Sequence, residues 1–427
     1  MSAKDREILF IANPFGSGGG GSYRAQRGLL YFARKGLRTY FIVPWASIPD
    51  LIALESSVKG VSNLMRNGVH PLAASYLPSI VNRKYLLLTA LSPLLHRVST
   101  GIRFFSDKHL KPLIVVSYHE GFDAISLALR FSTMYGTPVG VFLQLPPFYE
   151  RRRWIHILHS HKLFYKYLYR ELYPSLFSLS KTALELCMKE NKRYIEEVVK
   201  RKGCILAVSK SIPMDMGGAG YVSYLDPGVS LDPEDEALIK SIRDTVKERK
   251  GIVVFGGRPI PSKGLIEGIL AFSKLVRELS DLKLVFTGYI GRQNKARVLA
   301  FAEKLGIREK VLFTGYISRK ERLRLVRRAM LMLYPSHEDS YSYAVLEATL
   351  LGTPVAGYGI PALQTYFGGL DNVRLAPEGD LEGLVQDAMD LIEGRAWRDE
   401  ADLHVKEWDE ILEEELGFWL KCSGEYG

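Results

Sequence analysis

Cysteine is scarce in this sequence: Cys187, Cys204 and Cys422 are the three among 427 residues. An odd number with no close spacing argues against a disulfide framework or a zinc site, and for a reducing cytoplasm. Long apolar runs are also lacking. The nearest charge-free stretch of membrane-span length, residues 131–149, holds Gly136, Pro138, Gly140, Pro146 and Pro147. It reads as loop, buried strand, loop, not as a spanning helix. The start, MSAKDREILF, has no signal-peptide pattern. No Asp-x-Asp occurs anywhere. That removes the usual carboxylate clamp for a metal–nucleotide complex, so neither a metal nor a cofactor is expected. No recognised RNA or DNA module appears, and nucleic acid is not an expected partner.

What is present suits a globular α/β protein. Hydrophobic residues make up 47% and charged residues 24%, values of a soluble chain. The length calls for two domains of roughly 200 residues each. The net charge of +10 is uneven: residues 1–230 hold 30 Lys and Arg against 15 Asp and Glu. Such asymmetry suggests that the first half faces something anionic.

Strand and helix patterns alternate in both halves, which implies parallel, doubly wound sheets. In the first half, strand 7–12 leads into the glycine-rich GSGGGGS (16–22), and strand 112–121 ends in His119 and Glu120. The linker is expected within 225–235, which carries Pro and Gly. The second half repeats the alternation, with FTGYI occurring twice, 27 residues apart. This short echo reads as two parallel strands ending alike. Two Rossmann-like domains in tandem predict a ligand in the cleft between them, at the carboxyl ends of the strands.

Four segments could carry chemistry. YPSHEDSYSYAVLEATLLGTP (334–354) reads as strand end, loop and helix, with Asp339 before the helix and Glu347 within it. Unpaired N–H groups at a helix start attract phosphate. Asp339 could equally be an N-cap and Glu347 a surface charge. GRPIPSKG (257–264) places Arg258 and Lys263 on a turn after a strand, where two cations can neutralise a diphosphate; the bland alternative is a pair of solvated cations. Gly18 and Gly19 of the glycine loop allow close approach to phosphate or sugar, though no GK[ST] follows and a plain connecting loop would look the same. His119 is either functional or a hydrogen-bonded structural histidine.

Taken together, these residues resemble the group 1 glycosyltransferases, the large retaining family with the GT-B fold. The shared pattern is Gly257-Arg258 with Lys263-Gly264, then Pro335-Ser336, Asp339, Glu347-Ala348, and Gly352, Pro354 and Val355. The first half is similar more loosely, through its glycine loop and VVSYHEG, and EWDEILEEE resembles the family's closing helix. The resemblance implies two Rossmann-like domains facing across a cleft: 1–230 for the acceptor, including a basic aromatic helical region at 150–202, and 231–403 for the nucleotide sugar. Residues 404–427 would form a helix crossing back to the first domain.

The resemblance also implies roles. Arg258 and Lys263 would hold the diphosphate of the sugar donor. Glu347 would bind the ribose hydroxyls, and Asp339 stands where the family has a Glu that contacts the sugar. Ser340, Tyr341, Ser342 and Tyr343 would offer backbone N–H groups, Gly315 would join the donor-binding residues, and His119 would sit by the transferred sugar or the acceptor. Two departures stand out: Asp is one methylene shorter than Glu, and Ser340-Tyr341-Ser342 replaces the family's Gly-Phe-Gly.

The expected function is therefore a metal-independent, retaining transfer from a nucleotide-diphosphate sugar to an acceptor hydroxyl, lipid-linked glycans among the candidates. A sugar-nucleotide epimerase and a non-catalytic sugar-nucleotide binder are the alternatives. The expected location is the cytoplasm. Residues 151–173, rich in Arg, Lys, Trp, Phe and Tyr, could lie on the inner, anionic face of a membrane, or form an ordinary amphipathic helix of the first domain.

Overall fold

The computed structural model describes residues 6–14, 20–44, 64–71, 110–246, 248–394 and 405–425. The chain divides into two compact units. The first comprises 1–149, 179–230 and 406–427, the second 150–178 and 231–405. The linker expectation within 225–235 contains the observed division after Ser230.

The first unit holds seven strands: β1 (Glu7–Ile11), β2 (Arg38–Ile42), β3 (Val69–Pro71), β4 (Pro112–Ser117), β5 (Val139–Leu143), β6 (Cys204–Ala207) and β7 (Ser223–Tyr224). Their order is β3-β2-β1-β4-β5-β6-β7, and every pairing is parallel. Strands β1 and β5 are apolar and almost wholly buried, the pattern of a sheet covered on both faces. The helix Gly20–Arg34 stops before Gly36, which has φ 89° and needs no Cβ there.

The closing helix, Trp408–Cys422, belongs to this first unit. It carries Glu415 and Trp419, both wholly buried. Arg24 of helix Gly20–Arg34 is ion-paired with Glu415, and Tyr118, just past β4, donates its hydroxyl proton to the same carboxylate. The end of this helix is also tied to β6 by a disulfide, Cys204–Cys422. The expectation of no disulfide is thus overturned. The two cysteines stand 218 residues apart, and the returning helix brings them together. With that bond, the inference of a reducing compartment loses its ground. Cys187 takes no part in a disulfide.

The second unit holds six strands: β8 (Lys250–Phe255), β9 (Lys283–Phe286), β10 (Val311–Phe313), β11 (Ala329–Tyr334), β12 (Val355–Tyr358) and β13 (Val373–Ala376). Their order, β10-β9-β8-β11-β12-β13, is again wholly parallel. The repeated FTGYI places β9 and β10 side by side, and Gly288 and Gly315 form a bridge beyond their ends.

The basic aromatic helix Arg151–Leu168 lies in the second unit, not with the first domain as the sequence suggested. Its apolar face explains the difference. Ile157, Phe164, Tyr165 and Leu168 are buried, Ser160 Oγ donates to Pro261 O, and Tyr167 stacks on Phe301 at 4.8 Å. The long helix that follows, Tyr173–Lys200, contains the division between units. Among the described residues, no helix is long and apolar enough to cross a membrane.

Candidate active site

In a doubly wound sheet the crevice opens where the strand order reverses, outside the carboxyl ends. In the second unit that point lies between β8 and β11. Strand β8 runs into Gly256-Gly257-Arg258, and β11 runs into Pro335-Ser336-His337-Glu338-Asp339. The two sequence motifs therefore flank one switch point.

Backbone contacts lock these loops together. A 3-10 turn, Pro261–Lys263, is followed by Gly264 at φ 68°. A Cβ on Gly264 would sit 1.9 Å from the carbonyl oxygen of Pro335. Only glycine permits that approach at a left-handed φ. His337 N–H donates to Ser262 O at 2.9 Å, a second tie between the loops.

The result is a compact polar cluster. Lys263 Nζ donates to Asp339 Oδ2 at 3.0 Å and to the carbonyl of Glu338. Tyr334 donates its hydroxyl proton to the same Asp339 oxygen. Asp339 Oδ1 has no partner among the described residues. Burial, and then the charge of Asp339, hold the Tyr334 phenol well above its ordinary pKa, so it stays protonated. Arg258 is exposed, and its guanidinium makes no hydrogen bond to the described residues. Gly257 lies against the stem of Lys263, with an added Cβ meeting Lys263 Cγ at 3.6 Å. Arg258 and Lys263 therefore both stand in the loop that follows β8.

Asp339 is not the helix cap. Ser342 caps the helix Tyr343–Leu350 by accepting from Val345 N–H. Ser340 and Tyr341 are buried, and Tyr341 packs on Tyr366 at 4.9 Å and Phe367 at 5.4 Å. Ser340 and Ser342, which stand where the family has glycines, and Tyr341, which stands where it has Phe, are thus all buried in the unit. Glu347 is not a surface charge either. It is buried, gripped by Arg322 at 2.5 and 2.9 Å and approached by Arg319 at 3.1 Å.

His119 belongs to the first unit, past the end of β4 at that unit's own switch point, between β1 and β4. Its Nδ1 accepts from Gly121 N–H at 3.0 Å, and Nε2 lies 3.7 Å from Glu120. Gly18 and Gly19 fall outside the described residues. Gly315 has φ 68° and open space where a Cβ would stand. Among the described residues no group of three or more His, Cys, Asp and Glu side chains could hold a metal.

Sequence reasoning missed two sets of residues. Arg319 and Arg322, which hold Glu347, sit in RKERLRLVRRA (319–329), where many cations hide the two that matter. His337, with Glu267 and Glu378 on its two ring nitrogens, stands in the motif as an ordinary variable position.

Residues 239–406 match the family model of glycosyl transferases group 1. This segment is thus similar to the group 1 glycosyltransferases. A D-inositol 3-phosphate glycosyltransferase from Mycobacterium sp. (strain JLS) is 30% identical over 148 residues, 33% of each chain. The lipopolysaccharide glucosyltransferase WaaG of Escherichia coli (strain K12) is 28% identical over 137 residues, 31% of this chain and 36% of that one. The chain thus spans about a third of the length of these relatives. Among solved structures, Anabaena Alr3699/HepE in complex with UDP superposes with a TM-score of 0.55 at 14% identity, covering 98% of this chain and 95% of that one. That likeness shows the fold: two Rossmann-like domains of the GT-B class.

Proposed function

We propose that the protein transfers a sugar from a nucleotide diphosphate to an acceptor hydroxyl, with retention at the anomeric carbon and without a metal. The observation that carries this reading is the Lys263–Asp339 pair at the β8/β11 switch point, beside an uncommitted Arg258. Two fixed cations there would neutralise the diphosphate and stabilise it as it leaves. Each charge-assisted hydrogen bond is worth roughly 1.5–3 kcal/mol.

In this reading Asp339 keeps one oxygen on Lys263 and Tyr334 and offers the other to the sugar hydroxyls. The acceptor hydroxyl attacks on the face from which the diphosphate departs, and the leaving phosphate takes its proton. Glu347 accepts the ribose hydroxyls while still paired with Arg322, since a carboxylate has about four acceptor sites. His119 serves the transferred sugar or the acceptor. The printed name of the Escherichia coli relative supports a lipid-linked acceptor. Of the aromatic residues in 151–173, Phe164 and Tyr165 are buried and Tyr167 packs on Phe301.

Replacing Arg258 or Lys263 by Ala is expected to lower turnover by roughly 100–1000-fold, by analogy with losing one oxyanion donor. Initial-rate assays across a panel of nucleotide sugars check this, and normal transfer by the double variant would sink the proposal. Incubation without acceptor separates a transferase, which at most hydrolyses its donor slowly, from an epimerase, which changes the sugar.

A further inference from the structure

Behind the Lys263–Asp339 pair lies a buried charge cluster that no step above uses. His337, 1% exposed, is its centre. Its Nδ1 lies 2.8 Å from Glu378 Oε1, and its Nε2 lies 3.1 Å from Glu267 Oε1. Arg153 ion-pairs with the other oxygen of Glu378 and donates to the backbone oxygen of His337 at 2.6 Å. His156 stacks on the His337 ring at 6.4 Å, and the Tyr358 ring stands at 5.2 Å. His161, whose pKa burial lowers to about 4, adds no charge at neutral pH.

The geometry favours the doubly protonated ring. A neutral imidazole has one N–H and one lone pair. Here both ring nitrogens face carboxylate oxygens, so a neutral ring would point its lone pair at a negative charge. An imidazolium donates to both. The charges agree: Glu267 and Glu378 against Arg153 alone would leave one buried negative charge unbalanced, which is costly. Burial lowers the His337 pKa, but hydrogen bonds to Glu267 and Glu378 more than offset it, and the net shift is upward.

We propose that His337 is a positioning residue, held as an imidazolium between Glu267 and Glu378, that fixes the 335–339 turn and with it the Lys263–Asp339 pair. One residue, Glu338, separates His337 from Asp339, and the N–H of His337 holds the loop that carries Lys263. The catalytic consequence rests on the proposed transfer reaction; the charge state does not.

Thermal unfolding of the wild type, His337→Gln and the double variant Glu267→Gln/His337→Gln tests this, between about pH 6 and about pH 9. A pKa raised in the folded state gives stability that is full below the unfolded value and lost as pH rises through the folded value. The wild type is expected to lose Tm over that rise and His337→Gln to lack this loss. The double variant, which removes the stranded carboxylate, is expected to recover both Tm and turnover relative to His337→Gln. Turnover of His337→Gln should fall on the order of 100-fold, the cost of about 1 Å of misplacement. Identical pH slopes for wild type and His337→Gln, or no recovery in the double variant, overturn the proposal. If neither variant folds, histidine 15N spectra of the wild type decide: an imidazolium at His337 above about pH 7 supports the proposal, and a neutral tautomer overturns it. If no nucleotide sugar turns over even with the wild type, the transfer reading falls while the unfolding and spectral results still judge the charge state.

Discussion

Arg24–Glu415 in the first unit and Lys263–Asp339 in the second are both ion pairs near a switch point, yet they differ in what remains unspent. Arg24 donates to Gly228 O at 2.6 Å, to Tyr118 Oη at 3.3 Å and to Glu415. Glu415 also accepts from Tyr118 and from Trp419 Nε1 at 3.0 Å. Both are buried to 1% exposure or less, so no water or ligand reaches them. Lys263 and Asp339 keep about an eighth of their side chains exposed, with Oδ1 open and Arg258 beside them in solvent. The closed pair is a structural lock on the returning helix. The open pair is the proposed site. Charge alone does not separate the two roles; leftover hydrogen-bonding capacity does.

The contrast can be broken by substitution. Arg24→Met strands a buried carboxylate and should cost about 3–5 kcal/mol, read as a lower midpoint in urea unfolding. Replacing both partners, Arg24→Met with Glu415→Leu, should recover most of that loss, because two buried charges go at once. Lys263→Ala should do the reverse of Arg24→Met: a large loss of turnover, as given above, with a smaller shift in the unfolding midpoint.

Reduction of Cys204–Cys422 should destabilise the first unit by about 2–4 kcal/mol, since that bond closes a long loop. Unfolding with and without reductant measures it. The smallest effect is expected at Ser342→Ala, about 1 kcal/mol from losing the cap of the helix that carries Glu347. A larger loss there would mean that Ser342 also holds the Asp339 turn.

Local patterns carried the strands, the linker and the Lys263-Gly264 motif into the sequence reading. Those features depend on neighbours a few residues apart, and on Gly264, whose necessity follows from one close carbonyl. What escaped depends on long separations. Arg153 meets Glu378 across 225 residues and Cys204 meets Cys422 across 218. The basic aromatic helix was legible as amphipathic, but the helices it packs against, Leu265–Glu278 and Arg292–Lys304, were not, because periodicity names a buried face without naming its partner. Arg322 and Glu347 are 25 residues apart on successive helices, and only the crossover through β11 sets them against each other.

The most direct measurement is calorimetric titration of nucleoside diphosphates into the wild type and the Arg258→Ala/Lys263→Ala variant. Losing two charge-assisted contacts should weaken binding by about 100-fold or more. Equal affinity in the two proteins would contradict the assignment of the β8/β11 switch point as the diphosphate site.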